Sequence, residues 1–114
     1  MKLCYRPRSE QSEYCIENNC ARCWDTVYAF YDIDPQAPTH FLVIPKVHIR
    51  SCGEITPENA AVVAHCFEVI SQVAKELSIT DFRVVSNCGP QAGQSVPHLH
   101  FHVLAGRDMT WPPG

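Results

Sequence analysis

Histidine and apolar residues alternate strictly over residues 98–103. Because successive side chains of an extended strand point to opposite faces, this pattern predicts a strand with an apolar face of Leu99, Phe101 and Val103. The other face then carries a row of histidines: His98, His100 and His102. A solvent-facing strand is more commonly lined by Thr, Lys or Glu, so the row indicates a site that binds a metal ion or a phosphate group.

Other stretches of the chain predict the sheet to which this strand belongs. Residues 26–31 and 82–87 are rich in β-branched and aromatic side chains, and residues 40–45 form a nearly continuous apolar run. A first short strand is expected within residues 16–23. Residues 82–87 should pair with the histidine strand as an antiparallel hairpin with a long connection.

One helix is expected between those strands. Thr56 is suited to cap its N-terminus, and Pro57 to occupy its first position. His65 lies off the apolar face and should be solvated. Strands on either side of one long helix indicate an α+β fold with the helix packed on an antiparallel sheet. The apolar residues that recur at helical spacing and face the sheet are Val63, Cys66, Phe67, Ile70, Val73, Ala74 and Leu77.

Length and composition restrict the classes of function. The 114 residues suit one domain, residues 1–114, in which residues 1–14 are polar, are interrupted by Pro7 and form an N-terminal arm. A net charge of −3 argues against general nucleic-acid binding. No apolar run is long enough for a membrane span or the core of a signal peptide. The expected location is the cytoplasm, or the cytoplasm and the nucleus together.

The seven cysteines are numerous for this length. An intracellular chain keeps such residues as thiols. Cys20 and Cys23 have the C-x-x-C spacing of zinc sites and redox dithiols, but this spacing occurs once. Plain thiols are therefore expected, and a structural zinc at this pair is the alternative.

The loop before the histidine row favours a phosphate over a metal. Residues 89–95 offer glycines, whose backbone N–H groups can approach an anion, together with an amide and a hydroxyl group. A zinc site more typically recruits a carboxylate or a cysteine, and residues 89–104 contain neither.

Several motifs also occur in one order along the chain from about Val27 onward. Residues 98–103 fit His-x-His-x-His with apolar x, and they follow a Gly-Gln-Ser-Val segment at 93–96. Residues 32–46 and the closing Trp-Pro-Pro-Gly complete the set. In these motifs the chain resembles the histidine triad (HIT) proteins, in their histidine triad nucleotide-binding (Hint) branch. The resemblance implies a sheet with one long helix and a homodimer whose sheets join across the two-fold axis.

The resemblance also implies roles for the histidines. His100, the middle one, is the natural nucleophile, because neighbours on both sides can orient it and supply charge. In HIT proteins the matching residue attacks the α-phosphorus and forms a nucleotidyl-histidine that water then cleaves. His102 would donate to the phosphate, and His98 and His48 would support the nucleophile or relay protons.

By the same resemblance, other residues would bind the nucleotide. Asp32 would accept both ribose hydroxyls, and Phe30 and Ile33 would wall the purine. Trp111 would border the leaving-group side. The residues that would hold phosphate oxygens or the leaving group are Asn87, Gly93, Gln94 and Ser95, of which Ser95 also counts among the catalytic groups.

The expected function is a hydrolase that releases an AMP-like nucleotide from purine nucleoside phosphoramidates and needs no cofactor for catalysis. Three alternatives stay open. The first is another HIT activity, such as dinucleoside polyphosphate hydrolysis. The second is a nucleotide-binding interaction module with little activity. The third is a histidine-rich metalloenzyme.

Overall fold

A computed structural model describes residues 21–114, and in this part of the chain five strands form one antiparallel sheet. The expected arm over residues 1–14, and most of the predicted first strand within 16–23, lie outside the described residues. The sheet order is β1-β2-β3-β5-β4. The strands are β1 (Ala21–Cys23), β2 (Val27–Tyr31), β3 (Thr39–Pro45), β4 (Arg83–Val85) and β5 (Phe101–Ala105). Helix α1 (Ala60–Glu76) and two 3-10 turns, Cys52–Glu54 and Pro90–Ala92, complete the described elements. The predicted α+β fold is confirmed.

The core lies between α1 and one face of the sheet. Val27 and Ala29 of β2, Phe41 and Val43 of β3, and Val103 of β5 are fully buried. They alternate along each strand with partly exposed residues, as expected for a sheet covered on one face. Full burial of one such aliphatic or aromatic side chain contributes about 1.5–3 kcal/mol. The opposite sheet face carries the histidines and Phe30, which are candidate functional side chains.

Helix α1 begins later than the sequence predicts. Its cap is Asn59, and Thr56 begins the turn before it, with its carbonyl accepting the N–H groups of Asn59 and Ala60. The predicted cap at Thr56 is wrong because the Asn59 amide oxygen accepts the Thr56 N–H at 2.7 Å and holds this turn outside the helix. Among the described residues, no helix is long and apolar enough to cross a membrane.

The predicted apolar face of the helix needs two changes. Phe67 is 47% exposed, although its ring touches that of Phe101 at the edge of the core. Val69, absent from the prediction, is buried. His65 is not simply solvated, because its Nδ1 lies 2.6 Å from the Thr26 hydroxyl oxygen. Helical spacing identified the buried face, but contacts with the sheet decide which residues at its edges are covered.

The histidine row is only partly in a strand. β5 begins at Phe101, so His98 and His100 precede it. Pro97 has no N–H to donate, and the His98 N–H donates to the Val96 carbonyl at 2.9 Å, so this segment bends. The predicted alternation of burial still holds, since Leu99, Phe101 and Val103 are buried while the histidines between them are partly exposed. The predicted antiparallel pairing of β4 with β5 is confirmed.

Candidate active site

Five of the six histidines meet at the open sheet face in two pairs with His100 between them. His40 of β3 and His102 of β5 are joined by a contact of 2.9 Å between Nε2 and Nδ1. His48 and His98, which follow β3 and precede β5, approach at 3.3 Å between their Nδ1 atoms. The His100 ring meets the His102 ring edge-on, with centroids 5.0 Å apart.

The hydrogen bonds of His40 decide where its proton lies. The backbone N–H of Gln36 donates to its Nδ1 at 3.0 Å, so this nitrogen must carry a lone pair. In neutral His40 the proton is therefore on Nε2, from which it is donated to Nδ1 of His102. His102 consequently keeps its own proton on Nε2. The two rings thus present an N–H donor at the far side of His102.

The same reasoning applies to His100. Its Nδ1 lies 2.7 Å from the backbone carbonyl oxygen of His98. Because a carbonyl only accepts, Nδ1 carries the proton and Nε2 carries the lone pair of the neutral ring. That Nε2 forms no hydrogen bond with any residue of 21–114. His100 therefore holds an unprotonated, unengaged nitrogen, which is what a nucleophilic imidazole requires.

A backbone carbonyl also orients the second histidine pair, His48 and His98. Nε2 of His98 donates to the Pro45 carbonyl at 2.9 Å, which leaves Nδ1 of neutral His98 as an acceptor. The proton between the two Nδ1 atoms then belongs to His48. His48 is exposed, so this proton can exchange with water.

Asp32 adds a carboxylate to the buried pair. Its Oδ2 lies 3.6 Å from Nε2 of His40 and 3.8 Å from Nδ1 of His102. Its Oδ1 accepts the Asp34 N–H at 2.8 Å, which shapes the turn after β2. The pKa of His102 is lowered, first by burial and then by repulsion from His100 and His40, against the opposing attraction of Asp32. His102 is thus kept neutral by its surroundings.

The residues expected at the purine lie close to this carboxylate in the chain. Phe30 is paired with Leu42, and Leu42 with His102, so these three side chains share the open sheet face. Phe30 is partly exposed and is therefore not an ordinary core residue. Ile33, next to Asp32, is fully exposed. Such an apolar side chain in water is available to cover a base.

The glycine loop is held together by Gln94. The Gln94 Oε1 accepts the Gly89 N–H at 2.8 Å, and its Nε2 donates to the carbonyls of Arg50 at 2.8 Å and Val96 at 3.0 Å. The backbone N–H groups of Gly93 and Gln94 also donate within the loop. In this structure Gln94 therefore shapes the loop, and its expected phosphate contact stays a prediction.

Asn87 and Ser95 have free polar groups. The Asn87 amide packs against Gly93, where an added Cβ would meet its Nδ2 at 3.4 Å. Neither Asn87 nor Ser95 makes a side-chain hydrogen bond with another residue in the described range 21–114. Ser95 lines an open cleft of about 500 Å³ together with Arg50, Glu54 and Cys88. These two side chains keep their polar groups available, and their expected contacts with a phosphate or a leaving group stay predictions.

Comparison with known proteins places the chain in a family named for its histidines. The family model described as the HIT domain matches residues 17–109. The chain belongs to the HIT domain family. It is similar to a HIT family hydrolase from Legionella pneumophila, with 34% identity and a TM-score of 0.79, over 91% of this chain and 100% of that one. The fold is that of a HIT-family hydrolase.

Two curated relatives are similar at the level of sequence. An uncharacterized HIT-like protein from Synechococcus elongatus is 45% identical over 91 residues, which are 79% of this chain and 80% of that protein. The 14 kDa zinc-binding protein from Zea mays is 44% identical over 93 residues, 79% of this chain and 73% of that protein. Neither establishes the branch of the HIT family or the substrate.

The name of the maize relative raises the question of zinc. One group in the described region has suitable donors, Asp32, His40 and His102, whose ligand atoms all lie within 4.8 Å of one another. A zinc ion bound by these three residues would need a lone pair on Nε2 of His40. That nitrogen instead carries a proton, which it donates to Nδ1 of His102. The hydrogen-bonded cluster does not fit a resident zinc ion unless His40 gives up its bond from Gln36. Of the other candidate pair, Cys20 lies outside the described residues and Cys23 lies in β1, so the expectation of plain thiols there, with structural zinc as the alternative, stays a prediction.

His40 is the functional candidate that the sequence analysis missed. It is 4% exposed and is followed in β3 by an unbroken apolar run, residues 41–45. The signal was present, since a lone histidine in an apolar run must find a buried partner or remain unsatisfied. The partner, His102, is 62 positions away, and only the register of β3 against β5 brings the two together.

Proposed function

We propose that this HIT protein hydrolyses purine nucleoside phosphoramidates through a nucleotidyl intermediate on His100, as the Hint branch does. The observation that carries the proposal is the hydrogen bond from Nδ1 of His100 to the His98 carbonyl, at 2.7 Å. It orients the ring and leaves the Nε2 lone pair available for attack. The N–H on Nε2 of His102 donates a hydrogen bond to the transferred phosphate and stabilises its negative charge.

The reaction proceeds in two displacements. Nε2 of His100 attacks the α-phosphorus, the P–N bond breaks, and the leaving nitrogen takes a proton and departs as an amine. We assign that proton to the His48–His98 pair, which first takes up one proton from water through its exposed member and returns to two neutral rings when it gives that proton away. A water molecule then attacks the phosphorus and gives up a proton to solvent, the P–N bond to His100 breaks, and the nucleoside monophosphate is released. Splitting one hard displacement into two easier ones supplies much of the rate.

The nucleoside would lie on the open sheet face. Asp32 accepts the ribose hydroxyls with its partly exposed carboxylate, while Phe30 and Ile33 cover the purine. The leaving amine is directed to the cleft beside Ser95, which contains both Arg50 and Glu54. No step uses a metal ion.

We further propose that the protein is a homodimer. Trp111 is 81% exposed on a tail that Arg83 fastens through a hydrogen bond to the Thr110 carbonyl, at 3.0 Å. So large an exposed indole favours a partner surface. Sedimentation at micromolar concentration should give twice the chain mass, and a chain-mass species throughout would refute the dimer.

A comparison of substrates tests the proposed activity. The full chain is assayed with an adenosine phosphoramidate, with diadenosine polyphosphates and with AMP binding alone, each with and without EDTA. We expect the highest kcat/KM for the phosphoramidate, unchanged by the chelator. A preference for the polyphosphates would assign the other HIT activity, and AMP binding without turnover would assign an interaction module. Loss of activity in EDTA with recovery in zinc would assign a metalloenzyme.

A further inference from the structure

The turn after β5 packs against the loop before β3. Thr39, the first residue of β3, is paired with Ala105, the last of β5, so the loop before β3 and the turn after β5 lie at the same end of these two neighbouring strands. Gly106 has φ of +95°, and a Cβ added to it would lie 2.9 Å from Cβ of Pro38. Only glycine allows this backbone conformation and this close approach without strain. The contact between Gly106 and Pro38 fixes the position of the loop that precedes β3.

Arg107 fastens the same loop. Its Nε donates to the Gln36 carbonyl at 3.0 Å, and its Nη1 donates to the Asp108 carbonyl at 3.1 Å. The guanidinium group therefore bridges the turn and the loop in a fixed plane. On its other side, Gln36 donates its N–H to Nδ1 of His40. One residue thus connects an exposed arginine to a buried imidazole.

We propose that Arg107 is a positioning residue that, through Gln36, keeps the proton of His40 on Nε2 and thereby keeps an N–H on Nε2 of His102. Its consequence for turnover rests on the proposed function. Arg107 itself touches neither substrate nor the reacting atoms. Its effect passes along four groups: the guanidinium, the Gln36 backbone, the His40 ring and the His102 ring.

The consequence of losing this anchor follows from the two ring nitrogens. If the Gln36 N–H moves away, Nδ1 of His40 can take the proton, and Nε2 then presents a lone pair to His102. Two facing lone pairs repel, so His102 must place its own proton on Nδ1. Its Nε2 then turns a lone pair toward the phosphate. A donor in the site would become an acceptor, which disfavours an anionic substrate and its transition state.

The test compares three arginine variants of the full chain. Arg107→Ala removes both donors, and Arg107→Lys keeps the charge and one donor for the Gln36 carbonyl. Arg83→Ala is the matched control, because Arg83 also donates to a backbone carbonyl, that of Thr110, but does not contact the loop. Histidine ring ¹⁵N shifts, measured about two pH units above the ordinary imidazole pKa, report which ring nitrogen carries the proton.

In wild type, Arg107→Lys and Arg83→Ala, we expect His40 to be protonated on Nε2. In Arg107→Ala, a second population with the proton on Nδ1 should appear, and kcat for the phosphoramidate should fall about tenfold. Gly106→Ala, which keeps Arg107 but pushes Pro38 away, should cause the same change. It keeps the proposal testable if Arg107→Ala lowers the thermal stability too far.

Unchanged ring shifts of His40 in folded Arg107→Ala would overturn the proposal, whatever happens to the rate, and if that variant does not fold, unchanged shifts in Gly106→Ala would overturn it. A lower kcat with unchanged shifts would show that Arg107 acts by another route, which also overturns it. The ring shifts do not depend on any substrate. If wild type has no phosphoramidase activity, the proposed function fails, and the shifts still decide the role of Arg107.

Discussion

The two histidine pairs of the site differ in how far their protons are fixed. His40 is buried, and a backbone N–H determines its tautomer and that of His102. His48 is exposed, and the proton that it shares with His98 can exchange with solvent. In the proposed mechanism, the His40–His102 pair presents a permanent N–H donor to the phosphate. The other is suited to give and take protons, so similar residues serve opposite purposes in different surroundings.

His100 lies between the pairs and should show the largest effect. His100→Asn removes the attacking Nε2 while keeping a polar side chain. We expect kcat to fall by at least about 10³-fold, on the order of 4 kcal/mol of barrier, because no neighbouring group replaces the covalent bond. AMP binding, measured by calorimetry, should persist. A fall of less than about tenfold would make His100 a phosphate ligand only.

The comparison itself is tested with one substitution at both pairs. His40→Phe removes the buried donor and should lower kcat by about tenfold to a hundredfold, the cost of one or two buried hydrogen bonds. His48→Phe is the matched variant at the exposed pair. Since water can replace an exposed donor, its kcat should fall by less than about tenfold. Equal losses, or a larger loss at His48, would contradict the division of roles.

Asp32 should affect binding more than turnover. Asp32→Ala removes a charge-assisted acceptor for the ribose hydroxyls and should weaken AMP binding by about 1.5–3 kcal/mol. Calorimetry with AMP and with its 2′,3′-dideoxy analogue measures this directly. Wild type should lose affinity for the dideoxy analogue, and the variant should not distinguish the two ligands. Equal wild-type affinity for both would remove Asp32 from the ribose site.

The smallest effect concerns stability and pH. Because the pKa of His102 is lowered in the folded protein from its ordinary value of 6.5, the unfolded chain binds more protons as the pH falls below that value. The contribution of His102 to stability is therefore present above 6.5 and is lost as the pH falls toward the folded pKa. Urea unfolding from pH 7.5 downward should show a smaller loss in His102→Asn than in wild type. An identical pH dependence would contradict the neutral His102.

Much of this account could be predicted from local sequence patterns. Strict alternation identified Leu99, Phe101 and Val103 as buried even where His98 and His100 precede the strand, since burial follows side-chain direction more than hydrogen bonding of the ladder. The helix face was predicted for the same reason. These properties depend on neighbours in the chain.

The parts that were missed depend on distant partners. His40 lies in an apolar run, and its role appears only when the sheet register brings it to His102. The bonds by which the Gln94 side chain closes the loop, to Gly89, Arg50 and Val96, were also not foreseen, and its expected phosphate contact stays a prediction. The Arg107 contact with Gln36 spans 71 positions. A local sequence pattern specifies which face of a strand or helix is buried. It does not specify which residues of other segments will contact that face.

The central claim is that His100 forms a covalent bond to the α-phosphorus. The direct measurement is a base quench of wild type and His100→Asn during turnover of an adenosine phosphoramidate labelled at the α-phosphorus, followed by peptide mapping. We predict acid-labile, base-stable label on His100 of wild type and none on the variant. Label that never forms, or that maps to His98 or His102, would contradict the account.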